Sequence, residues 1–413
     1  MSIGNHFNVS PLLHRSLYRY SLKNFIENEL HDRYEEVKES YQDIDFEDSL
    51  GFSRFLDRCL RDDHISIESF TRFVIEELNY GRQRNMYVSF LMDCSFLNNE
   101  ALVIEKINDL NLTNEHSVTM LPYSNGLLDG VSPGEKRLIY SDVIKDDTDI
   151  TSVRLVFGNH IYHDAAECNN YVAVEINIPL KLLVVKVRNW KDDNEHTSNT
   201  NQLAEEIKIR IKAAFNLHTP LMTNSSQRLV RRMTMELTES VLKPTRDIVD
   251  AKIKSEIHNK SEEWLKSLSN KNFSTTDLNY LEDAILNNFY RLYMHNEIGK
   301  LSNDQLFEIY NVAGYPVNVK FTDDTIGEAR AKSADTSESL LDTSVYYDLK
   351  TRLDSSDRLK TVTIYWIDLS SEKHFGTTFN LESQEKLKIV IKPNFFRKEL
   401  SDYVLRKIEL YTG

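Results

Sequence analysis

Cysteine is scarce in this chain. Cys59, Cys94 and Cys168 are the only three, and they stand far apart with no paired spacing, so neither a disulfide framework nor an all-thiolate zinc site can be built from them. Glycine is sparse too: twelve residues leave no Gly-rich loop to wrap a nucleotide phosphate. No G-x-x-x-x-G-K-[ST] occurs, which disfavours ATP or dinucleotide binding. H-E-x-x-H and C-x-x-C are missing as well, removing the common zinc spacings. No apolar run approaches the ~18 residues of a membrane helix, so no membrane association is expected. The start, MSIGNHFNVSPLLHRSLYRY, lacks a basic segment followed by an apolar block and a cleavage site, so export is not expected and a reducing cytoplasm is.

Positive charge is in deficit. Sixty-four acids against fifty Lys and Arg give a net charge of −14, which argues against wholesale coating of nucleic acid but leaves room for a local basic groove. With 40% hydrophobic and 28% charged residues the composition is globular. A length of 413 residues predicts several folding units. The bias toward Asn, Lys, Ile and Ser fits AT-rich coding, and so a low-GC bacterium, phage or mobile element.

Hydrophobic spacing predicts an α+β, multidomain chain that alternates helical units with mainly antiparallel sheets. Leu22, Phe25, Ile26, Leu30, Tyr34 and Val37 fall on one helical face, and with GFSRFLDRCL and SIESFTRFVIEEL they define an N-terminal helical domain over 1–81. MYVSFLM, RLIYSDVI, SVRLVF, NYVAVEINI and LLVVKVRNW alternate as strands. They make a mainly antiparallel β domain over 82–200, its last two strands joined as a hairpin across Pro179 to Lys181. Helical patterns return over 201–314. There SQRLVRRMTMELTESVL is expected to end before Pro244 opens a second helix, and Ser274 and Thr275 are cap candidates for a third. Residues 315–413 mix strands and helices as a C-terminal α+β domain. No internal repeat is evident.

The segment HIYHDAAECNNYVAVEINIPLKLLVVKV, 160–187, concentrates the candidate chemistry. His160, His163, Asp164 and Glu167 are ligand types suited to zinc or manganese, although Gly158-Asn159 and Asn169-Asn170 around them predict a polar loop. Glu175 and Lys186 extend the set toward a metal-dependent hydrolase or nuclease, in which an acid and an acid-x-Lys on neighbouring strands hold a divalent ion. The position two before the lysine is Val184, so the second acid is lacking. A plain half-buried hairpin accounts for the same residues, with Val172, Val174 and Ile176 on one face and Tyr171, Ala173, Glu175 and Asn177 on the other. GVSPG at 130–134 has the spacing of a nucleophile elbow, but Pro133 has no N–H to give the oxyanion, so Ser132 reads as a turn serine.

Basic residues cluster in two places. Arg228, Arg231 and Arg232 begin the second helical unit, interleaved further on with acids as in an ion-paired helix surface. Lys386, Lys388, Lys392, Arg397 and Lys398 surround Phe395 and Phe396, the pairing of charge and rings that grips single-stranded nucleic acid. The expectation that follows is a non-enzymatic binding or scaffold subunit of a larger assembly, with no cofactor. A protein partner or self-association is expected, along with nucleic acid through the local basic patches, and antiviral defence is one setting considered. The alternative is a metal-dependent hydrolase or nuclease centred on His160 and His163.

Overall fold

The computed structural model describes residues 13, 16–48, 51–82, 85–111, 136–163, 166–188, 200–219, 225–268, 273–323, 327–335, 337–356, 358–367, 374–381, 387–392 and 398–411. The fold is α+β, and the described strand pairs are antiparallel. The chain divides into two compact units, Met1–Leu221 with Asn394–Arg406, and Met222–Pro393 with Lys407–Gly413.

In the first unit β2 (Lys136–Asp146), β3 (Asp149–His163), β4 (Ala166–Asn177), β5 (Leu182–Val187) and β1 (Asn85–Phe90) lie side by side in that order. Alternation predicts one buried face; both are buried. Val153, Leu155, Phe157, Val172, Val174, Ile176 and Val185 share a core with Val103 and Ile107 of α5 (Glu100–Asn111) and Leu203, Ile207 and Ile211 of α6 (Thr200–Ala214). On the other side Ile139, Tyr140, Val156 and Tyr171 pack with the N-terminal helices α1 (Arg19–Leu30), α2 (Tyr34–Ser40), α3 (Gly51–Arg61) and α4 (Ile67–Glu76). The segments 1–81 and 82–200, separate in sequence pattern, therefore share a core. Burying each such side chain contributes about 1.5–3 kcal/mol, and a single sheet face cannot satisfy both helical layers.

The expected hairpin across Pro179 to Lys181 is present, with Val174 opposite Val185. Its turn uses Lys181 at φ 51°, and Asn177 accepts the Leu180 N–H at 3.1 Å. The polar loop expected around His160 is not a loop. The β3–β4 ladder continues through His160 opposite Asn169 to His163 opposite Ala166, because backbone pairing with a neighbouring strand overrides the loop preference of Asn and His.

The second unit orders its strands β10 (Leu387–Ile391), β9 (Phe375–Asn380), β8 (Arg358–Trp366), β6 (Gly314–Asp323) and β7 (Gly327–Lys332). α7 (Ser225–Leu268) runs against β6 and β8, and α10 (Ser344–Ser355) against β6 and β7. Val319, Phe321, Val362, Ile364, Phe379 and Ile389 form the buried side of this sheet. α8 (Thr275–Asn296) packs on α7 through Val249, Ile257 and Leu286. Its start is a capping box of Ser274 and Asp277. α9 (Asn303–Tyr310) follows, and α11 (Lys398–Leu410) belongs to the first unit as far as Arg406.

Pro244 does not open a helix. It lies inside the continuous α7, where a proline removes one backbone hydrogen bond and crowds the preceding turn. Buried Val241, Leu242, Thr245 and Val249 on either side hold the segment helical. Pro244→Ala is expected to raise the unfolding free energy of the second unit by about 1–3 kcal/mol, read from the urea midpoint.

Candidate functional site

Glu175 and Lys186, the carboxylate and lysine of the catalytic reading, form a buried ion pair. Lys186 Nζ donates to Glu175 Oε2 at 2.8 Å, with side-chain exposures of 1% and 5%. Their strands set this up: Glu175 is opposite Val184 and Ala173 opposite Lys186, so the two side chains meet diagonally on one sheet face. The ammonium lies 4.2 Å from the ring centroid of Tyr80, over which Arg154 is also placed at 5.9 Å. Burial pushes the Glu175 carboxyl up. The charge and hydrogen bond of Lys186, then Arg154 and Lys398, outweigh it and leave the carboxyl below its ordinary range. Asp402, on α11, feels the same charges: burial first, then the Glu175 charge, raise its pKa against the pull of Lys186, Lys398 and Arg154. This acid from the far end of the chain had no signal near the hairpin. Held this way the pair fixes charge inside the sheet.

His160, His163 and Glu167 have described backbones in β3 and β4, but their side chains, and Asp164 altogether, lie outside the described residues. Among the described residues no three His, Cys, Asp or Glu come together as a metal site. Ser132 lies outside the described residues.

A second buried acid stands on the π-helical turn Glu77–Gly81. Glu77 is 7% exposed, and its carboxyl occupies the space over Gly81 that a Cβ there would need. Burial pushes its pKa up to about 7, opposed by the Tyr18 backbone and the charges of Arg82 and Arg188. Because the folded value lies above that of the unfolded chain, the fold favours the protonated form, and stability falls as pH rises from about 4.5 to about 7. The fall is about 3 kcal/mol. Urea unfolding of the wild type and Glu77→Gln at pH 4.5 and pH 8 measures it: the difference between the two proteins should shift by that amount in favour of the variant at the higher pH.

The second unit carries a different surface. Alternation along its strands sets the buried side against a polar one, on which β10 places Lys388 and, one residue past its end, Lys392, β7 places Arg330 and Lys332, β6 places Lys320, and β8 places Arg358 and Lys360. Glu328 is the carboxylate that these described strands put there, held between Lys320 Nζ at 2.9 Å and Lys360 Nζ at 2.7 Å. Their two hydrogen bonds lower its pKa. Among the described strand residues seven cations thus share a sheet face with one carboxylate, in a chain of net charge −14. Between them run Asn318, Thr363 and Thr378, with the two threonine hydroxyls 3.0 Å apart. Tyr365, its ring 5.9 Å from that of Tyr315, stands toward one end.

Of the basic residues singled out in the sequence, Lys388 and Lys392 are on this face. Lys386, Phe395, Phe396 and Arg397 lie outside the described residues. Lys398 is on α11 of the first unit, near Glu175 and Asp402. Arg228, Arg231 and Arg232 are on α7, where Arg232 pairs with Glu236 at 2.9 Å in the i,i+4 manner of a solvated helix. Arg330, Lys332, Lys320, Arg358 and Lys360 carried no signal, since each lies in a short stretch of mixed charge. α7 and α8 also expose Trp264, Leu268, Tyr280 and Leu292, and no described helix is long and apolar enough to cross a membrane. No family model matches the chain, and neither a curated protein nor a solved structure does.

Proposed function

We propose that the chain is a non-enzymatic, cytoplasmic binding subunit of a larger assembly, and that it holds single-stranded nucleic acid on the polar sheet face of its second unit. The observation that carries this is the charge of that face among the described strand residues, seven cations to one carboxylate, against the acidic background. Nucleic-acid affinity comes chiefly from cations that displace condensed counterions at phosphates. Partly exposed Thr378 and Tyr365 on the same face add sequence-tolerant contacts to sugars and bases. The exposed Trp264, Leu268, Tyr280 and Leu292 support a protein partner, because aromatic and large apolar side chains are enriched where proteins meet.

The test is fluorescence anisotropy of a labelled oligo-dT strand titrated with the full chain at several salt concentrations. Binding whose logarithm falls linearly with log salt supports the reading. An absence of binding at low salt, with the same result for oligo-U, defeats it.

A further inference from the structure

We infer that Arg330, Lys332 and Lys392 converge as a phosphate-binding subsite over β6 and β8, built by a notch at Gly376 and an anchor at Asn318. The inference rests on the proposed reading of this face and goes further, from a field of charge to a defined seat for one backbone phosphodiester.

Surface lysines ordinarily extend into water, which keeps like charges apart and their side-chain entropy high. Lys392 does otherwise. Its side chain lies flat over Gly376, where a Cβ would stand 3.0 Å from its Cδ, 3.5 Å from its Cγ and 3.7 Å from its Cβ. Its N–H donates to the Gly376 carbonyl at 2.9 Å, and Gly376 is opposite Tyr365 of β8. The side chain therefore crosses β9 inward from β10. From the opposite flank Arg330 turns inward as well: its Nε donates to Asn318 Oδ1 of β6 at 2.7 Å, which fixes the guanidinium plane. Lys332 is directly opposite Asn318, and Asn318 is opposite Thr363.

Cations from both flanks thus face a common floor of Asn318, Thr363 and Thr378. Partial burial, then the charges of Lys332 and Arg330, lower the pKa of Lys392, which is the signature of cations near one another. A guanidinium pre-set by its Nε presents its remaining N–H groups in the fork that matches phosphate oxygens, and two ammonium groups complete the charge. The notch matters as much as the charges, since any side chain at position 376 would lift Lys392 off the floor.

The test leaves every charge in place. Gly376→Ala fills the notch, and alanine is no worse than glycine in a strand. Asn318→Ser releases the Arg330 anchor and serves if Gly376→Ala does not fold, as judged by circular dichroism and the melting temperature. Both variants, with the wild type and Lys392→Glu, are titrated into unphosphorylated oligo-dT and, separately, inorganic phosphate. The expected result is a loss of about 10-fold in oligo-dT affinity for the folded charge-preserving variant, with a salt slope smaller by about 0.7, the share of one phosphate on a single strand. If the charge-preserving variants bind oligo-dT as the wild type does while Lys392→Glu weakens binding, the face acts through diffuse charge. The subsite is then overturned and the proposed function stands. Inorganic phosphate that binds the wild type tightly while oligo-dT does not would make the seat one for free phosphate and overturn the assignment to a strand. No binding of either by the wild type overturns both.

Discussion

Lys186→Met is expected to lower the unfolding free energy of the first unit by about 3–5 kcal/mol, the cost of leaving one member of a buried ion pair without its partner. Methionine keeps most of the volume, so little of the effect comes from a cavity. What it removes is the ammonium that donates to Glu175 at 2.8 Å and sits over the Tyr80 ring. Arg154 and Lys398 remain as charges near Glu175, which sets the loss nearer the lower figure. The pH dependence separates this from ordinary core damage. In the wild type the folded pKa of Glu175 is depressed, so its contribution is present above the unfolded value and lost as acid takes the pH down through the folded one. In the variant burial prevails, the carboxyl titrates above its ordinary range, and the variant loses more stability as pH rises toward neutral. Glu175→Leu combined with Lys186→Met should recover most of the loss, because well-packed apolar groups replace a buried pair at little cost. Urea unfolding of the single and double variants between pH 5 and pH 8 decides it; equal stability of wild type and Lys186→Met at pH 7 would mean that the pair is not desolvated.

The second large effect concerns binding. Reversing Arg330, Lys388 and Lys392 together to glutamate is expected to weaken oligo-dT binding on the order of 100-fold at moderate salt and to reduce the salt slope by about 1.4, two phosphates' worth on a single strand, since Arg330 and Lys392 serve one phosphate between them. Stability should change little, because Arg330 and Lys392 are exposed; Lys388 is half-buried on β10, and burial lowers its pKa, so a glutamate there costs more than at the other two. The matched control is Arg232→Glu with Lys266→Glu on α7. Those side chains are paired with Glu236 and Glu262 at exposed i,i+4 positions, and reversing them should leave the salt slope unchanged. A control that weakens binding as much as the triple variant would place the contact on the helix and not on the sheet.

The helices and strands of local origin were legible because each carries its own period. Phe70, Val74 and Leu78 repeat at helical spacing and are buried, and Val172, Val174 and Ile176 repeat at strand spacing and share a core. Where the period was faint the sequence was silent: β7, GEARAK, alternates only Ala329 and Ala331 inward, and alanines leave little hydrophobic signal. Local rules misled where neighbours overrode them. Pro244 is a helix starter by propensity but is held inside α7 by packing on both sides, and the Asn- and His-rich stretch around His160 is drawn into a ladder by its partner strand.

Sequence by itself determined the α+β class, the globular composition, the absence of nucleotide-loop and thiolate-zinc motifs, and the hairpin across Pro179 to Lys181, because composition and short-range periodicity are properties of contiguous residues. Only the tertiary structure decided that both faces of the first sheet are covered, that Glu175 and Lys186 satisfy each other beneath Tyr80, and that Arg330 and Lys332 share a face with Lys388 and Lys392. Charge adds up over distances of about 10 Å in space. Strand pairing, and not spacing along the chain, brings cations of neighbouring strands within that range: Arg330 is opposite Lys320, and Lys320 and Lys360 meet at Glu328.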